Sequence, residues 1–356
     1  MGQTIGDWGR LSAPVFKGML LSLGTGAGNE ISQMRFPKNF HVMISNSNLD
    51  DVRSACLSLL SAGMRKEELY PIVLGDGRGA GSDIEYGMKC LQEGYGKVRK
   101  IIKDLETRKS LNCIFLFASV GGGTGSNIHE LCEHITEDFQ GLTLVPIVLL
   151  PFRFEGQSQV DRAARAVELL NKQGHSVTVL DNEAALAGYR RRTGRTSVEE
   201  AMSFMDNWVS EWFTLLLVNL ARENKARLRF DRQDIDFMWA RNGQLSLVGY
   251  RRFPAKINLG SDILEHLNFL ADVSLKSVKA RGSHYSGLIM IRTMRPKLLE
   301  QLATATKARY GDKSNLKFFY VEEPHTTPNE VSLTISGFER DQLRPQLSSK
   351  HAQMEK

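Results

Sequence analysis

The sequence contains few cysteines and no metal-binding arrangement of them. Four cysteines occur in 356 residues, and none forms a C-x-x-C pair or shows the spacing of a zinc site. This excludes a zinc site built on cysteine pairs. Buried, reduced thiols in a reducing compartment are the expected state of all four: Cys56, Cys90, Cys113 and Cys132.

The sequence also lacks signals for secretion or membrane insertion. The N-terminus has no basic-then-apolar layout of a signal peptide, and Gly6 stands where a myristoylation motif needs Ser or Thr. The longest apolar stretch, Leu142 to Phe152, is too short to span a bilayer and contains a proline. The sequence therefore predicts a cytoplasmic protein without a transmembrane segment.

Three familiar motifs are almost present but incomplete. The zinc-protease pattern H-E-x-x-H fails because Glu133 stands where the second histidine belongs. A Walker A loop is excluded because Gly96-Lys97 is followed by Val98. The dinucleotide pattern G-x-G-x-x-G fails at Asn29, which leaves a redox enzyme only as a distant alternative.

The overall composition is that of an ordinary globular protein. Hydrophobic residues make up 42% of the chain and charged residues 24%, and the length suits two domains. The net charge of +6 permits an acidic partner but does not require one. Arg190–Arg192 and Arg195 form a basic cluster without interleaved aromatic residues. A solvated loop is expected there, contact with an acidic neighbour stays open, and direct binding of nucleic acid is not expected.

Short apolar strands alternate with helical patterns from Met19 onwards. Glu85–Leu105 and Asn127–Glu137 are two of the helical patterns. This alternation predicts a doubly wound, parallel α/β sheet, in which ligands bind at the carboxyl ends of the strands. The predicted strands are Gly18–Leu23, His41–Ser45, Pro71–Leu74, Cys113–Ala118, Leu144–Leu150 and Ser176–Leu180.

A long central helix follows these strands. Ser197 and Glu200 have the spacing of a capping box, and apolar residues then recur at helical spacing to about Arg227. The aromatic residues on this helix are expected to be core. Further on, a smaller α+β unit is predicted, with helices at Asp234–Arg241, Asp262–Leu270 and Pro296–Tyr310 and strands at Leu245–Tyr250, Ser286–Thr293, Leu316–Glu322 and Glu330–Gly337.

The predicted organisation therefore has five parts. An N-terminal extension covers residues 1–18 and a nucleotide-binding domain covers 19–194. The central helix covers 195–227, and the smaller C-terminal domain covers 228–339. The last segment, 340–356, is polar and basic and is predicted to be a tail.

The glycine loop after the fourth strand is the most specific signal. The string Gly121–Ser126 reads G-G-G-T-G-S between a buried strand and a helix. Bare glycines let backbone N–H groups close around phosphate oxygens, and the helix N-terminus adds a favourable dipole. The string resembles the G-G-G-T-G-[ST]-G signature of the tubulin/FtsZ superfamily, with Asn127 in place of the last glycine.

Four more loops resemble that superfamily in the same order. They are Gly24–Asn29, Asn46–Asn48, Gly77–Asp83 and Pro151–Gly156, each after a strand. The likeness continues at 269–276 and at Val331–Phe338, so it covers roughly 19–339. It implies GTP or GDP as ligand, with Mg²⁺, and contacts from Gly24, Gly26, Gly28, Asn29, Asn46, Ala80, Gly81, Gly121, Gly122, Gly123, Thr124, Gly125 and Glu155, of which Glu155 would hold the ribose.

The resemblance places base recognition on the central helix. The family has an aromatic residue there and an Asn or Asp four residues later, and the matching positions are Met202 and Asp206. A carboxylate can accept hydrogen bonds from both N1–H and the exocyclic amine of guanine, which adenine cannot donate together. The alternative is that Asp206 only caps or solvates the helix.

The resemblance also implies that hydrolysis is completed by the next subunit. The family's N-x-D-x-x-D loop matches Arg229–Asp234, so Asp231 and Asp234 are the predicted catalytic carboxylates and would orient the attacking water. The alternative is an ordinary acidic helix start. Arg229 replaces the family's asparagine, and Gln159 stands where many relatives carry arginine.

A GTPase that polymerises head-to-tail is therefore the expected function, in cell division or cell shape. A plasmid or phage filament that segregates DNA and a non-polymerising nucleotide-binding regulator are the alternatives. The expected partners are further copies of the chain, with an adaptor protein as a second candidate. The segment Arg344–Lys356 does not resemble the peptide by which FtsZ proteins dock on membrane tethers.

Overall fold

A computed structural model describes the chain in eight stretches. These are residues 16–194, 197–220, 232–239, 243–253, 286–292, 296–310, 315–321 and 329–338. Several predicted features lie outside them: Arg229 and Asp231, Arg195, the helix at 262–270, the segment 269–276, the tail at 340–356 and most of the extension. No helix among the described residues is both long and apolar enough to cross a membrane.

The first half of the chain alternates strand and helix, as the pattern predicts. The strands are β1 (Gly18–Leu23), β2 (His41–Asn46), β3 (Leu69–Val73), β4 (Cys113–Ser119), β5 (Thr143–Leu150) and β6 (Val177–Asp181). The helices are α1 (Thr25–Ser32), α2 (Leu49–Ser61), α3 (Ile84–Lys109), α4 (Ile128–Asp138), α5 (Gln157–Lys172) and α6 (Asn182–Thr193).

The second half begins with the central helix, described as α7 (Val198–Leu220). Ser197 Oγ accepts the backbone N–H of Glu200, so half of the predicted capping box is present, and the Glu200 carboxylate also accepts the hydroxyl of Tyr189 on α6. The remaining elements are α8 (Arg232–Trp239), β7 (Leu245–Phe253), β8 (Ser286–Arg292), α9 (Pro296–Tyr310), β9 (Asn315–Val321) and β10 (Asn329–Phe338).

One ten-stranded sheet carries both halves, in the order β3-β2-β1-β4-β5-β6-β7-β10-β8-β9. The first seven strands of this order pair in parallel, which confirms the predicted doubly wound α/β class. β10 is antiparallel to both neighbours, as expected for a smaller α+β unit. The halves join through β6 and β7, which pair over only Val177↔Leu245, Thr178↔Ser246 and Val179↔Leu247.

Helices cover both faces of the sheet, so its central strands are apolar on both sides. On β4, Ile114 and Leu116 face one buried cluster, whereas Phe115 and Phe117 face the other. The second cluster includes α7, where Phe213 meets Phe115 edge-on at 5.2 Å between ring centroids. Trp208, Trp212 and Phe213 are buried, which confirms that the aromatic residues of α7 are core.

Candidate nucleotide site

A pocket lies at the carboxyl ends of the parallel strands β1 to β5, where all five of the predicted loops meet. Ten predicted contact residues line it: Gly24, Gly26, Asn46, Ala80, Gly81, Gly122, Gly123, Thr124, Gly125 and Glu155. Five others do not: Gly28, Asn29, Gly121, Met202 and Asp206. The parallel sheet explains the convergence, since all these loops leave the same edge.

The glycines after β4 are required by close approach of the backbone. A Cβ on Gly125 would overlap the carbonyl oxygen of Ser119, and one on Gly123 would lie 2.6 Å from the carbonyl oxygen of Asp83. The loop then passes through a single 3₁₀ turn into α4. Its N–H groups and the helix start form a surface suited to an anion.

The loop after β1 brings a second helix start to the same place. Gly24 has φ +89°, in the left-handed region, and α1 begins at the next residue. A Cβ on Gly24 would lie 3.2 Å from the backbone nitrogen of Gly125, so the two loops are in contact. The N-terminus of α1 therefore faces the pocket beside the 3₁₀ turn, and both favour bound phosphate.

Ser47 joins three of the loops through its hydroxyl. Its Oγ lies 2.7 Å from Thr124 Oγ1 and accepts the backbone N–H of Ala80 at 2.9 Å. The sequence predicts a direct contact between Thr124 and phosphate. In the structure the residue Thr124 is 5% exposed, and its hydroxyl is hydrogen-bonded to that of Ser47. Thr124 thus helps to hold the loops together, and it also lines the pocket.

An acidic corner closes the pocket on the α2 side. Asp51 Oδ2 accepts the hydroxyl of Thr25 at 2.6 Å and the amide of Asn46 at 2.9 Å. Sequence reasoning missed Asp51, although the acidic first turn of a helix capped by Asn48 was a readable signal. No cluster of three or more His, Cys, Asp or Glu side chains suited to a metal occurs among the described residues.

The donor set of this corner fits Mg²⁺ that arrives with a nucleotide. Mg²⁺ usually keeps several waters and takes one or two carboxylates plus phosphate oxygens, rather than an all-protein cage. Asp51 is the carboxylate that lines the pocket beside the two glycine loops, with the Thr25 hydroxyl next to it. Bound there, the ion would neutralise phosphate charge.

Glu155 lines the same pocket, in the loop after β5. Its Oε1 accepts the backbone N–H of Phe152 at 2.7 Å, while Oε2 accepts no hydrogen bond from the described residues. The adjacent Gln159 donates to the carbonyl of Glu155 at 3.2 Å. Glu155 is exposed, so one carboxylate oxygen is held and the other is available for a hydroxyl pair.

An arginine on α5 supports the glycine loop after β4 by a hydrogen bond to its backbone. Arg162, one turn beyond Gln159 on α5, donates through Nε to the carbonyl of Gly121 at 2.8 Å. It also donates to Ser158 Oγ at 2.6 Å. Sequence reasoning missed Arg162, and no local motif marks it, because its role depends on α5 packing beside the loop after β4.

The predicted base-reading residues lie on α7, next to α1. Met202 is 45% exposed. Asp206 lies beside Glu30 of α1, which is 5% exposed. Burial, and then the neighbouring charge of Asp206, raise the pKa of Glu30 well above its ordinary value. Asp206 thus lies beside the helix that begins at the pocket.

Asp234 is buried on the C-terminal side of the molecule. It lies in the first turn of α8, is 7% exposed and pairs with the ammonium of Lys317 on β9. That ammonium also lies 4.9 Å from the ring centroid of Phe237. Asp234 is not among the residues lining the pocket, and Asp231, its predicted catalytic partner, is outside the described residues.

Known proteins resemble this chain in both sequence and fold. Residues 72–189 match the family model described as Tubulin/FtsZ family, GTPase domain. Cell division protein FtsZ of Porphyromonas gingivalis is 31% identical over 168 residues, which is 46% of this chain and 34% of that protein. The chain spans about a third to a half of the length of the curated relatives it matches.

Solved structures extend the likeness of fold to nearly the whole chain. The empty FtsZ dimer of M. jannaschii matches with a TM-score of 0.72 and 17% identity, over 96% of each chain. The GTPγS-bound protofilament of CetZ2 from Haloferax volcanii matches with a TM-score of 0.66 and 19% identity, over 93% of this chain and 96% of that one. At these identities the likeness establishes the fold.

Proposed function

Because the chain belongs to the tubulin/FtsZ superfamily, we propose that it binds GTP in this pocket and hydrolyses it in head-to-tail filaments. The observation that carries the proposal is the convergence of two glycine loops and two helix starts at one edge of the sheet. Their N–H groups suit a polyphosphate, and Glu155 suits the hydroxyl pair of a ribose.

The phosphates would lie against the backbone of Gly24–Thr25 and Gly122–Gly125. Backbone donors fixed by glycine need no rearrangement when charge develops on the γ-phosphoryl group, which is the usual source of catalysis in phosphoryl transfer. Arg162 would stabilise the glycine loop through the carbonyl of Gly121. Asp51, which accepts the hydroxyl of Thr25, would accompany Mg²⁺.

Hydrolysis would be completed by Asp231 and Asp234 of the next subunit. A carboxylate in a trans position can orient the attacking water and accept its proton. Within the chain, Asp234 pairs with Lys317. The pocket and Asp234 lie on separate parts of one chain, so such a contact is heterologous, and heterologous contacts that do not close on themselves generate filaments.

The proposed setting is the cytoplasm, in cell division or cell shape, with a DNA-segregating filament as the alternative role. CetZ2 from Haloferax volcanii, which is similar in fold, was solved as a GTPγS-bound protofilament, and this supports the proposal that the chain self-associates. One observation favours a non-polymerising regulator instead. Asp234 is already paired with Lys317 within a single chain, so it must keep or exchange that partner to serve a neighbour.

Right-angle light scattering with phosphate release tests the proposal on the full chain with GTP, GDP and ATP. Scattering that depends on GTP, with turnover rising more than linearly with protein concentration, is the expected result. Both scattering and turnover should be lost in Asp231→Ala/Asp234→Ala. They should be kept in Gln233→Ala, because Gln233 is an exposed neighbour of Asp234 on α8. Binding of GTP without scattering or turnover at any concentration would favour the regulator.

A further inference from the structure

The glycine loop after β4 is held through three successive carbonyl oxygens. Each accepts a hydrogen bond from a side chain of α5 or of the 3₁₀ turn that precedes α4. The three bonds run from Arg162 Nε to Gly121 at 2.8 Å, from Ser126 Oγ to Gly122 at 2.6 Å and from Asn127 Nδ2 to Gly123 at 2.8 Å. The orientation of three consecutive peptide groups is therefore set by side chains.

A held carbonyl fixes the direction of the next N–H group. No cis peptide bond occurs among the described residues, so the C=O and N–H of each peptide group point in opposite directions. The Gly123 carbonyl lies against α3, where a Cβ on Gly87 would overlap it. The N–H of Thr124 therefore points away from α3, and Thr124 lines the nucleotide pocket. Within the described part of the chain that N–H donates no hydrogen bond, whereas the N–H of Gly123 donates to the carbonyl of Gly81 at 3.1 Å.

The side chain of Asn127 acts here only as a donor. Its Nδ2 also donates to the carbonyl of Ile84, the first residue of α3, at 3.0 Å. Both partners are carbonyl oxygens, which only accept, so the amide nitrogen is the atom that faces them. Oδ1 is buried and accepts no hydrogen bond from the described residues, and although Asn127 is the N-cap of α4, its side chain caps no N–H there. A fully buried amide thus joins the Gly123 carbonyl to the start of α3.

We propose that Asn127 is a positioning residue for phosphate binding, which holds the Gly123 carbonyl against α3 and thereby aims the N–H of Thr124 at a bound phosphate. The inference rests on the proposed binding of GTP. It concerns this chain in particular, because Asn127 stands where the superfamily signature has glycine. A glycine at this position has no side chain to make either bond.

Loss of the Asn127 amide should release the peptide group between Gly123 and Thr124. Gly123 has no side chain to restrict rotation about its own backbone bonds, so the bond from Asn127 is an effective restraint. A freed peptide group directs its N–H to phosphate for only part of the time. Affinity for a nucleotide should fall, whereas affinity for the nucleoside, which has no phosphate, should not. Restoring the signature glycine should therefore weaken binding.

Competition against a fluorescent GTP analogue, with GTP and guanosine as competitors, tests the proposal on the full chain. The variants are Asn127→Ala, which has no donor, Asn127→Gly, which restores the signature, and Asn127→Ser. A serine hydroxyl can donate to the carbonyl four residues back, as that of Ser126 does to Gly122. Ile135→Ala is the matched control, because it removes buried volume from α4 about two turns away. Circular dichroism and urea unfolding check that each variant folds.

Asn127→Ala and Asn127→Gly should bind GTP about tenfold more weakly, the equivalent of one hydrogen bond to a charged group, with guanosine affinity unchanged. Asn127→Ser should bind GTP as the wild type does. Wild-type GTP affinity in a folded Asn127→Ala protein, an equal loss for guanosine, or an equal loss in Asn127→Ser or Ile135→Ala would overturn the proposal while GTP binding stands. Failure of the wild-type chain to bind GTP would overturn both.

A second measurement does not depend on the folding of any variant. In the wild-type chain, added GTPγS should move the amide proton resonance of Thr124 downfield, because the N–H gains a hydrogen bond to a charged oxygen. The N–H of Gly123, which is already bonded to Gly81, is the internal control and should move less. A Thr124 resonance that stays in place while GTPγS binds would overturn the proposal.

Discussion

The nucleotide pocket and the Asp234–Lys317 pair are built by different means. In the pocket, glycines allow the backbone segments to approach closely, and the side chains of Ser47 and Arg162 stabilise these segments by hydrogen bonds. In the charge pair, Asp234 on α8 contacts Lys317 on β9, 83 residues away in sequence. Backbone sites are thus encoded locally, whereas the charge pair exists only after the C-terminal strands have assembled.

The largest expected effect comes from changing the backbone of the pocket. Gly125→Ala places a methyl group against the Ser119 carbonyl, so the loop must move, with a loss of about 3 kcal/mol in the free energy of unfolding and loss of GTP binding. Gly96→Ala is the control, because Gly96 lies exposed in α3 with open space around it. It should stabilise the protein by about 0.5–1 kcal/mol. Urea unfolding and nucleotide titration measure both; equal stability of the two variants would contradict the backbone account.

A smaller effect is expected at the charge pair. Lys317→Met removes the cation and leaves Asp234 without that partner. The free energy of unfolding should fall by about 1–3 kcal/mol, a limited loss because the lysine side chain is 39% exposed. GTP binding should be unchanged and turnover should fall. Lys307→Met, on exposed α9 surface, is the matched control. Unchanged turnover in a folded Lys317→Met protein would separate this pair from hydrolysis.

The buried carboxyl group of Glu30 should contribute to the pH dependence of stability. The pKa of Glu30 is raised in the folded protein, so the folded state holds that proton more tightly than the unfolded chain. Stability from this group is full below the ordinary carboxyl pKa of 4.5 and is lost as pH rises through the raised folded value. Chemical unfolding at several pH values should show the fall, and Glu30→Gln should remove it. If the curves of unfolding free energy against pH for the wild type and Glu30→Gln were parallel, the raised pKa of Glu30 would be refuted.

The smallest effect is expected at the cysteines. All four are buried, and burial raises the pKa of Cys56 to about 11. Since the thiolate is the reactive form, a thiol reagent near neutral pH should label the native protein slowly, with Cys56 first, and all four sites after unfolding. Rapid labelling of Cys132, which is fully buried on α4, would show that the helix opens readily.

Predictions from sequence were most successful for strands and for the glycine loops. The predicted strand Cys113–Ala118 is extended by one residue in β4, and the predicted helix Pro296–Tyr310 is α9 without change. Apolar runs bounded by glycine carry these signals locally. In contrast, Asp51 and Arg162 were missed, because each acts through a partner on another element.

The sequence by itself determined the α/β class, the order of the loops and the glycines that let those loops approach one another. These follow from short-range sterics and hydrophobic patterning, which act along a few residues. Tertiary structure alone decided that Thr124 bonds to Ser47, that Asp234 faces Lys317 and that Glu30 is buried beside Asp206. Those outcomes depend on burial and on side chains far apart in the chain, which no local pattern records.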